Sequence, residues 1–188
     1  VVLLGKGDHQ ITSSWTNQHL NGSVYPTTLD ITRSNITFVG TGKDTTTILG
    51  GFHIDGVENI SFKNMTVTNT SLNGRGIQMM NATVELFDVA LKGCTSRALS
   101  IDSNNSETTL AATRCEFANS TYGAFVYGSL TSATFNNCVF NDNEYDGMFV
   151  SNKGTIHLHG EATAIHSNGR GIFAWDSAKV LIHLPSHH

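Results

Sequence analysis

One pattern recurs along most of this chain with a period of about 24 residues. Each copy begins with a small residue, usually Gly, and continues as a short strand of apolar, variable and apolar positions. Intervals of 25, 22, 26, 23 and 24 residues separate the predicted strand starts, which are Phe52, Ile77, Leu99, Phe125, Met148 and Ile172. A fixed period of roughly 20–50 residues indicates a repeat architecture in which each unit stacks on its neighbours. The period therefore predicts a solenoid.

Two further columns of alternating apolar residues follow the first strand in each repeat. The second column includes residues 60–62, 84–86, 133–135, 156–158 and 180–182. The third column includes Met65 with Val67, Val89 with Leu91, Cys115 with Phe117 and Cys138 with Phe140. Three strands joined by short turns make a triangular coil, and crossovers between parallel strands are almost always right-handed. We therefore predict an all-β fold, a single right-handed parallel β-helix of about seven coils with three strands per coil.

The 188 residues are expected to form one domain. Residues 1–26 are predicted to be a less regular N-terminal coil, and the regular coils are predicted over 27–184. The chain opens directly in a strand and shows no capping helix, so we expect a fragment of a longer chain whose open coil ends can stack on other protein chains.

Composition excludes several partner classes. The net charge is −4 and no basic stripe is present, so no nucleic-acid partner is predicted. No run of about 18 apolar residues exists, so no membrane span is predicted. Three cysteines are too few for a disulfide framework. The chain carries Asn-x-Ser/Thr sequons at Asn21, Asn35, Asn59, Asn64, Asn69, Asn81, Asn104 and Asn119. That number suits an extracellular or cell-surface glycoprotein, although a composition rich in Asn, Ser and Thr also produces sequons by chance.

Over residues 27–184 the chain resembles the right-handed parallel β-helix superfamily, often called pectin-lyase-like. The resemblance rests on the strand columns, on the segment NITFVGTGKDTTTILGG at 35–51, and on the turns NDNEYDGMFV at 141–150 and HSNGRGIFAW at 166–175. That superfamily includes polysaccharide lyases, hydrolases and epimerases, phage tailspikes and non-catalytic surface proteins. The resemblance implies that a polysaccharide would bind along the groove beside the first strand column.

Three rows of residues are predicted to line that groove. The second positions of the first strands are His53, Gln78, Ser100, Val126, Phe149 and Phe173. The fourth positions are Asp55, Met80, Asp102, Gly128, Ser151 and Trp175. The turn before each strand contributes Arg75, Arg97, Gly123, Asp146 and Arg170.

The turn row supplies the best candidate binding residues. Arg75 and Arg97 are predicted on adjacent coils, where like charges repel unless an anion lies nearby. A uronate carboxylate is such an anion, and the arginine fork matches its geometry. The alternative is that both side chains extend into solvent or pair with acidic residues nearby. Asp146 and Arg170 are opposite charges on neighbouring coils, which an ordinary cross-strand pair explains.

Phe149, Phe173 and Trp175 are predicted to form an outward aromatic run. Sugars stack on such rings, but an exposed apolar patch is equally typical of an interface with another domain or subunit.

His53, Asp55 and Asp102 are the candidate catalytic residues. The two carboxylates share a row two coils apart, about 9.6 Å between backbones, which is near the carboxylate separation of an inverting hydrolase. His53 is a candidate base. No complete polygalacturonase, pectate lyase or mannuronan epimerase signature is present, so enzymatic activity is left open.

His157, His159 and His183 are predicted to face outward together, and three imidazoles can hold zinc or copper. No supporting Asp or Cys is placed with them, so we predict no metal site and no cofactor.

Three functions are consistent with these residues. The favoured one is interaction with an acidic polysaccharide along the first-strand face. The alternatives are a non-catalytic structural rod in a cell-surface, extracellular-fibre or virion assembly, and a polysaccharide lyase, epimerase or hydrolase.

Overall fold

The structure is a computed structural model that describes residues 1–17 and 23–183. The sequon at Asn21, the end of the predicted regular coils at residue 184, and His187 and His188 lie outside the described residues. The predicted all-β architecture is confirmed. The chain forms a parallel β-solenoid of about 6 turns with about 24 residues per turn.

Three columns of parallel strands run along the solenoid. The first-strand sheet contains seven strands, which are β5 (Thr28–Ile31), β8 (Gly51–Asp55), β10 (Ile77–Met80), β12 (Arg97–Asp102), β15 (Tyr122–Tyr127), β18 (Asp146–Ser151) and β21 (Arg170–Ala174). The second column contains β1 (Val2–Leu3), β6 (Thr37–Val39), β9 (Ile60–Thr68), β11 (Thr83–Lys92), β13 (Thr108–Thr113), β16 (Thr131–Asn136), β19 (Thr155–His159) and β22 (Lys179–His183).

The third column contains β2 (Gly7–Gln10), β7 (Thr46–Leu49), the second halves of β9 and β11, β14 (Glu116–Ala118), β17 (Val139–Asn141) and β20 (Ala164–His166). Because β9 and β11 run through both columns, the second and third columns form one 13-stranded sheet. A short antiparallel hairpin, β3 (Trp15–Asn17) and β4 (Ser23–Tyr25), lies outside the columns.

The corner between the second and third columns is built by a single left-handed residue in each of four successive coils. Asn64, Asp88, Arg114 and Asn137 take φ values of 57°, 52°, 54° and 53°. A left-handed residue bends the chain into the next column without a loop, and Asn and Asp tolerate that conformation better than most side chains. The corner therefore repeats although the residue type changes.

Inward side chains of all three columns fill a continuous core. Phe38 stacks on Phe62 with ring centroids 5.1 Å apart, and Phe117 stacks on Phe140 at 4.7 Å. The cysteines at 115 and 138 are free, buried thiols within this core. One coil cannot bury its apolar face, whereas stacked coils bury a shared one.

A ladder of polar side chains marks the corner that leads from the third column to the first-strand sheet. Asn143 donates to the carbonyl oxygen of Phe117 at 3.0 Å, and Asn168 donates to that of Phe140 at 2.9 Å. In an earlier coil Asn69 donates to the carbonyl oxygen of Arg75 at 3.1 Å. The side chain of Asn69, one of the predicted sequon positions, is therefore buried in the corner.

The register of β15 corrects one prediction about the first-strand sheet. Ala124, not Phe125, is the partner of Leu99 and Met148. Phe125 therefore points outward, and Val126 is buried. Ala124, the small residue predicted to precede the strand, is itself part of β15, and its side chain packs into the core.

Candidate functional site

The outward face of the first-strand sheet carries three rows of side chains, which follow from the pairing of neighbouring strands. The turn row is Arg75, Arg97, Tyr122, Asp146 and Arg170, so Tyr122 takes the place predicted for Gly123. The middle row is His53, Gln78, Ser100, Phe125, Phe149 and Phe173. The outer row is Asp55, Met80, Asp102, Tyr127, Ser151 and Trp175, so Tyr127 takes the place predicted for Gly128.

Arg75 and Arg97 lie on adjacent coils and are both half-buried. The guanidinium of Arg75 lies 5.2 Å from the ring of Tyr25, and its Nε is buried without a hydrogen-bond partner. The guanidinium of Arg97 lies 3.4 Å from the ring centroid of Phe125. Neither arginine forms an ion pair with any residue in the described part of the chain. The two cations therefore share a partly desolvated surface without a direct counter-ion.

One carboxylate lies close to this pair, but it is reached through a hydroxyl group. Arg97 Nη1 donates to Ser100 Oγ at 3.0 Å, and Ser100 Oγ donates to Asp102 Oδ2 at 3.1 Å. Burial and the neighbouring charge of Arg75 lower the pKa of Arg97 to about 10, although Asp102 opposes that shift. Burial raises the pKa of Asp102, against the influence of Arg97. Positive charge in this region is therefore under-compensated.

The candidate catalytic residues occupy different environments. His53 is buried beneath Trp15, whose ring stacks on the imidazole at 3.6 Å. His53 Nδ1 is 2.8 Å from Asp30 Oδ1, and its Nε2 has no hydrogen-bond partner. Asp55 is exposed and accepts a hydrogen bond from Asn81 at 3.1 Å. His53 thus pairs with Asp30, and Asp55 and Asp102 stay two coils apart in the outer row as predicted.

Asp146 and Arg170 form the cross-strand pair that their spacing indicates. Arg170 Nε lies 2.5 Å from Asp146 Oδ1 and Nη2 lies 3.0 Å from Oδ2, a bidentate arrangement. Asp146 is fully buried, and the ion pair raises the pKa of Arg170. Arg170 also covers the ring of Phe173 at 4.1 Å. Arg170 is therefore already paired with a carboxylate, unlike Arg75 and Arg97.

Outward aromatic rings form a ladder at the C-terminal half of the first-strand sheet. Phe125 and Phe149 stack face to face at 4.5 Å, and Phe173 follows Phe149 at 5.5 Å. Tyr122 packs edge-on against Phe125 at 5.9 Å. The ring faces that a sugar would use are thus partly occupied by neighbouring rings. Trp175 is 67% exposed and belongs to the outer row.

His157, His159 and His183 do meet on the outer face of the second column. His159 is the strand-register partner of His183, and their rings stack at 4.0 Å. Partial burial and the two neighbouring histidines lower the pKa of His159.

Several residues at the face have no sequence signal of their own. Trp15, Tyr25 and Asp30 reach it from the hairpin and from β5. Phe125 and Tyr122 could have been found by aligning Ala124 with Leu99 and Met148, since that alignment places small or apolar residues at every inward position.

Comparison with known proteins agrees with the observed fold. The chain matches the family model described as "Right handed beta helix region" over residues 30–163 and again over 97–183. Neither the search of curated proteins nor the search of solved structures found a match. In residues 1–17 and 23–183, no helix has the length and apolar character needed to cross a membrane. Because the matched residues cover most of the chain and the strands form the solenoid that the model describes, this chain belongs to the right-handed beta helix family.

Proposed function

We propose that this protein binds an acidic polysaccharide along the first-strand sheet, with Arg75 and Arg97 as the residues that contact its carboxylates. The observation that carries the proposal is this pair of half-buried guanidinium groups on adjacent coils. Neither group forms an ion pair with any described residue. Holding two cations together costs free energy that an anionic ligand recovers. Strands stack at about 4.8 Å, so the two arginines form a short line of charge along the solenoid.

The other groups of the face support a polymeric, sugar-like ligand. Gln78, half-buried in the middle row beside the arginines, offers a neutral hydrogen-bonding group, whereas Ser100 is buried and already bonded to Arg97 and Asp102. Exposed Trp175 offers a ring to a sugar face farther along the same sheet. Asp146 and Arg170 satisfy each other, so they contribute shape to the face rather than free charge.

A structural rod is the second candidate, and the aromatic ladder favours it. Phe125 and Phe149 use their ring faces on each other, which strengthens contacts between coils and leaves mainly ring edges outward. A catalytic role receives less support from the geometry. His53 lies under Trp15 and is paired with Asp30, which keeps this base away from a ligand on the sheet surface.

Replacing Arg97 by Gln tests the binding proposal. Purified protein is passed over immobilised polygalacturonate and alginate, with a neutral glucan as reference, and products are analysed by mass spectrometry. A hydrogen bond to a charged group is worth about 1.5–3 kcal/mol, so we expect Arg97→Gln to weaken retention about tenfold or more. Arg114→Gln, which removes an exposed arginine at the corner between the second and third columns, is the matched control.

Each outcome of this experiment separates the candidates. Unchanged retention of Arg97→Gln would place binding elsewhere. Failure of the unmodified chain to bind any acidic polysaccharide would leave the rod as the better account. A change in the mass of the polysaccharide after contact with the protein would show that the protein is an enzyme.

A further inference from the structure

Three histidines converge on the outward face of the second column, away from the first-strand sheet. His157 and His159 lie two residues apart on β19, and side chains at that spacing point to the same face of a strand. His183 lies on the neighbouring strand β22 as the register partner of His159. Strand pairing thus brings together residues from two successive coils.

The ring nitrogens are already close to the positions that a tetrahedral metal ion requires. His157 Nδ1 lies 3.1 Å from His183 Nε2, and one nitrogen of each ring can be chosen so that all three lie within 4.8 Å of one another. A Zn–N distance of about 2.0–2.1 Å places tetrahedral nitrogens about 3.4 Å apart. The rings of His159 and His183 now lie face to face, 5° from parallel, so the imidazoles must rotate until their nitrogens point at one ion.

The donor set determines the class of ion. Within the described residues the cluster contains imidazoles and no carboxylate or thiolate. Ca²⁺ and Mg²⁺ require oxygen ligands, whereas imidazole suits zinc and copper, which also stand high in the affinity order of divalent metals.

We propose that His157, His159 and His183 bind one divalent transition-metal ion, Zn²⁺ or Cu²⁺, with a further coordination position open to solvent. The cluster lies on an accessible surface, with His183 exposed and the other two partly so. Three protein ligands with an open position form the arrangement from which zinc activates water or binds an exogenous ligand. The ion also joins β19 to β22, so it ties the last coil to its neighbour.

Metal titration of the 188-residue chain tests this site without any polysaccharide. All proteins carry His187→Ala and His188→Ala, because these two histidines lie outside the described residues and can bind metal themselves. Calorimetric titration with Zn²⁺ alone is expected to show one ion per chain. His159→Gln and His183→Gln are each expected to weaken binding at least tenfold. The control is His166→Gln, which replaces an exposed histidine on β20 outside the cluster and leaves binding unchanged.

Spectroscopy of the ligand set keeps the test decisive if a cluster variant fails to fold. In the chain that retains all three histidines, Zn²⁺ is expected to shift the imidazole NMR signals of His157, His159 and His183, and not those of His53 and His166. Electron paramagnetic resonance of added Cu²⁺ is expected to show coupling to imidazole nitrogens. Absence of saturable binding, equal binding in the cluster variants, or shifts confined to other histidines would overturn the proposal.

Discussion

Asn143 illustrates how single side chains hold the turns of this solenoid. It is buried at the corner before the first-strand sheet, and its Oδ1 accepts a hydrogen bond from the backbone N–H of Ser120 at 3.2 Å. Its Nδ2 donates to the carbonyl oxygen of Phe117 at 3.0 Å and to Asn168 Oδ1 at 2.9 Å. One amide therefore bonds to polar groups of both the preceding and the following coil.

We predict that Asn143→Ala lowers the free energy of unfolding by about 3 kcal/mol, because each buried polar group left without a partner costs about 1–3 kcal/mol. Urea unfolding followed by circular dichroism measures the change. Asn105→Ala, at an exposed position, is the control and is expected to change stability little. Equal stability of the two variants would show that water replaces the Asn143 side chain.

The repeated corners between strand columns determine how the elements follow one another. Asn64 holds the left-handed conformation inside β9, which allows one continuous strand to serve both the second and the third column. Its carbonyl oxygen accepts a hydrogen bond from Gly42 at 2.9 Å in the preceding coil. The corner is therefore a backbone requirement and not a contact of the asparagine side chain.

We predict that Asn64→Val lowers the free energy of unfolding by about 1–2 kcal/mol, since a β-branched residue resists the left-handed conformation. Asn64→Gly is expected to be close to neutral, because glycine adopts that conformation readily. Thermal unfolding of both variants beside the unmodified chain measures the difference. If the glycine variant loses as much stability as the valine variant, the side chain of Asn64, and not its backbone conformation, supports the corner.

The molecule is a stack in which a coil mainly contacts its neighbours, although Lys43 reaches the carbonyl oxygen of Arg114 about three coils away, so local stability follows local burial. Strands β12 and β15 contribute fully buried residues to the core, such as Leu99 and Val126. Strands β21 and β22 are mostly exposed, and Ile182 is 64% exposed. Protection of the backbone should therefore differ along the solenoid.

We predict that backbone amides of β12 and β15 exchange with deuterium much more slowly than those of β21 and β22. Local opening requires less free energy where fewer apolar contacts are lost. Hydrogen exchange followed by mass spectrometry of peptides resolves the two groups of strands. Uniform protection along all coils would mean that the solenoid opens only as one cooperative unit.

The sequence by itself determined the period, the strand columns and the interior ladder, because alternation of apolar residues within a strand is a local property. Met65, Val89 and Cys115 were placed in one column in this way, and the structure buries all three. The sequence also predicted the pairing of Asp146 with Arg170, since the 24 residues between them equal one coil.

Only the tertiary structure decided the exact stacking of β15, because coil lengths vary and turns absorb the difference. The repeated string NGRGI shows the same effect. Its arginines, Arg75 and Arg170, both belong to the turn row, yet Asn168 joins the buried corner ladder while Asn73 lies exposed in a longer loop. The stacking of Trp15 on His53 could likewise not be predicted from the sequence, because it joins the hairpin of β3 and β4 to the first-strand sheet. Such contacts arise from packing between distant segments, which local periodicity does not encode.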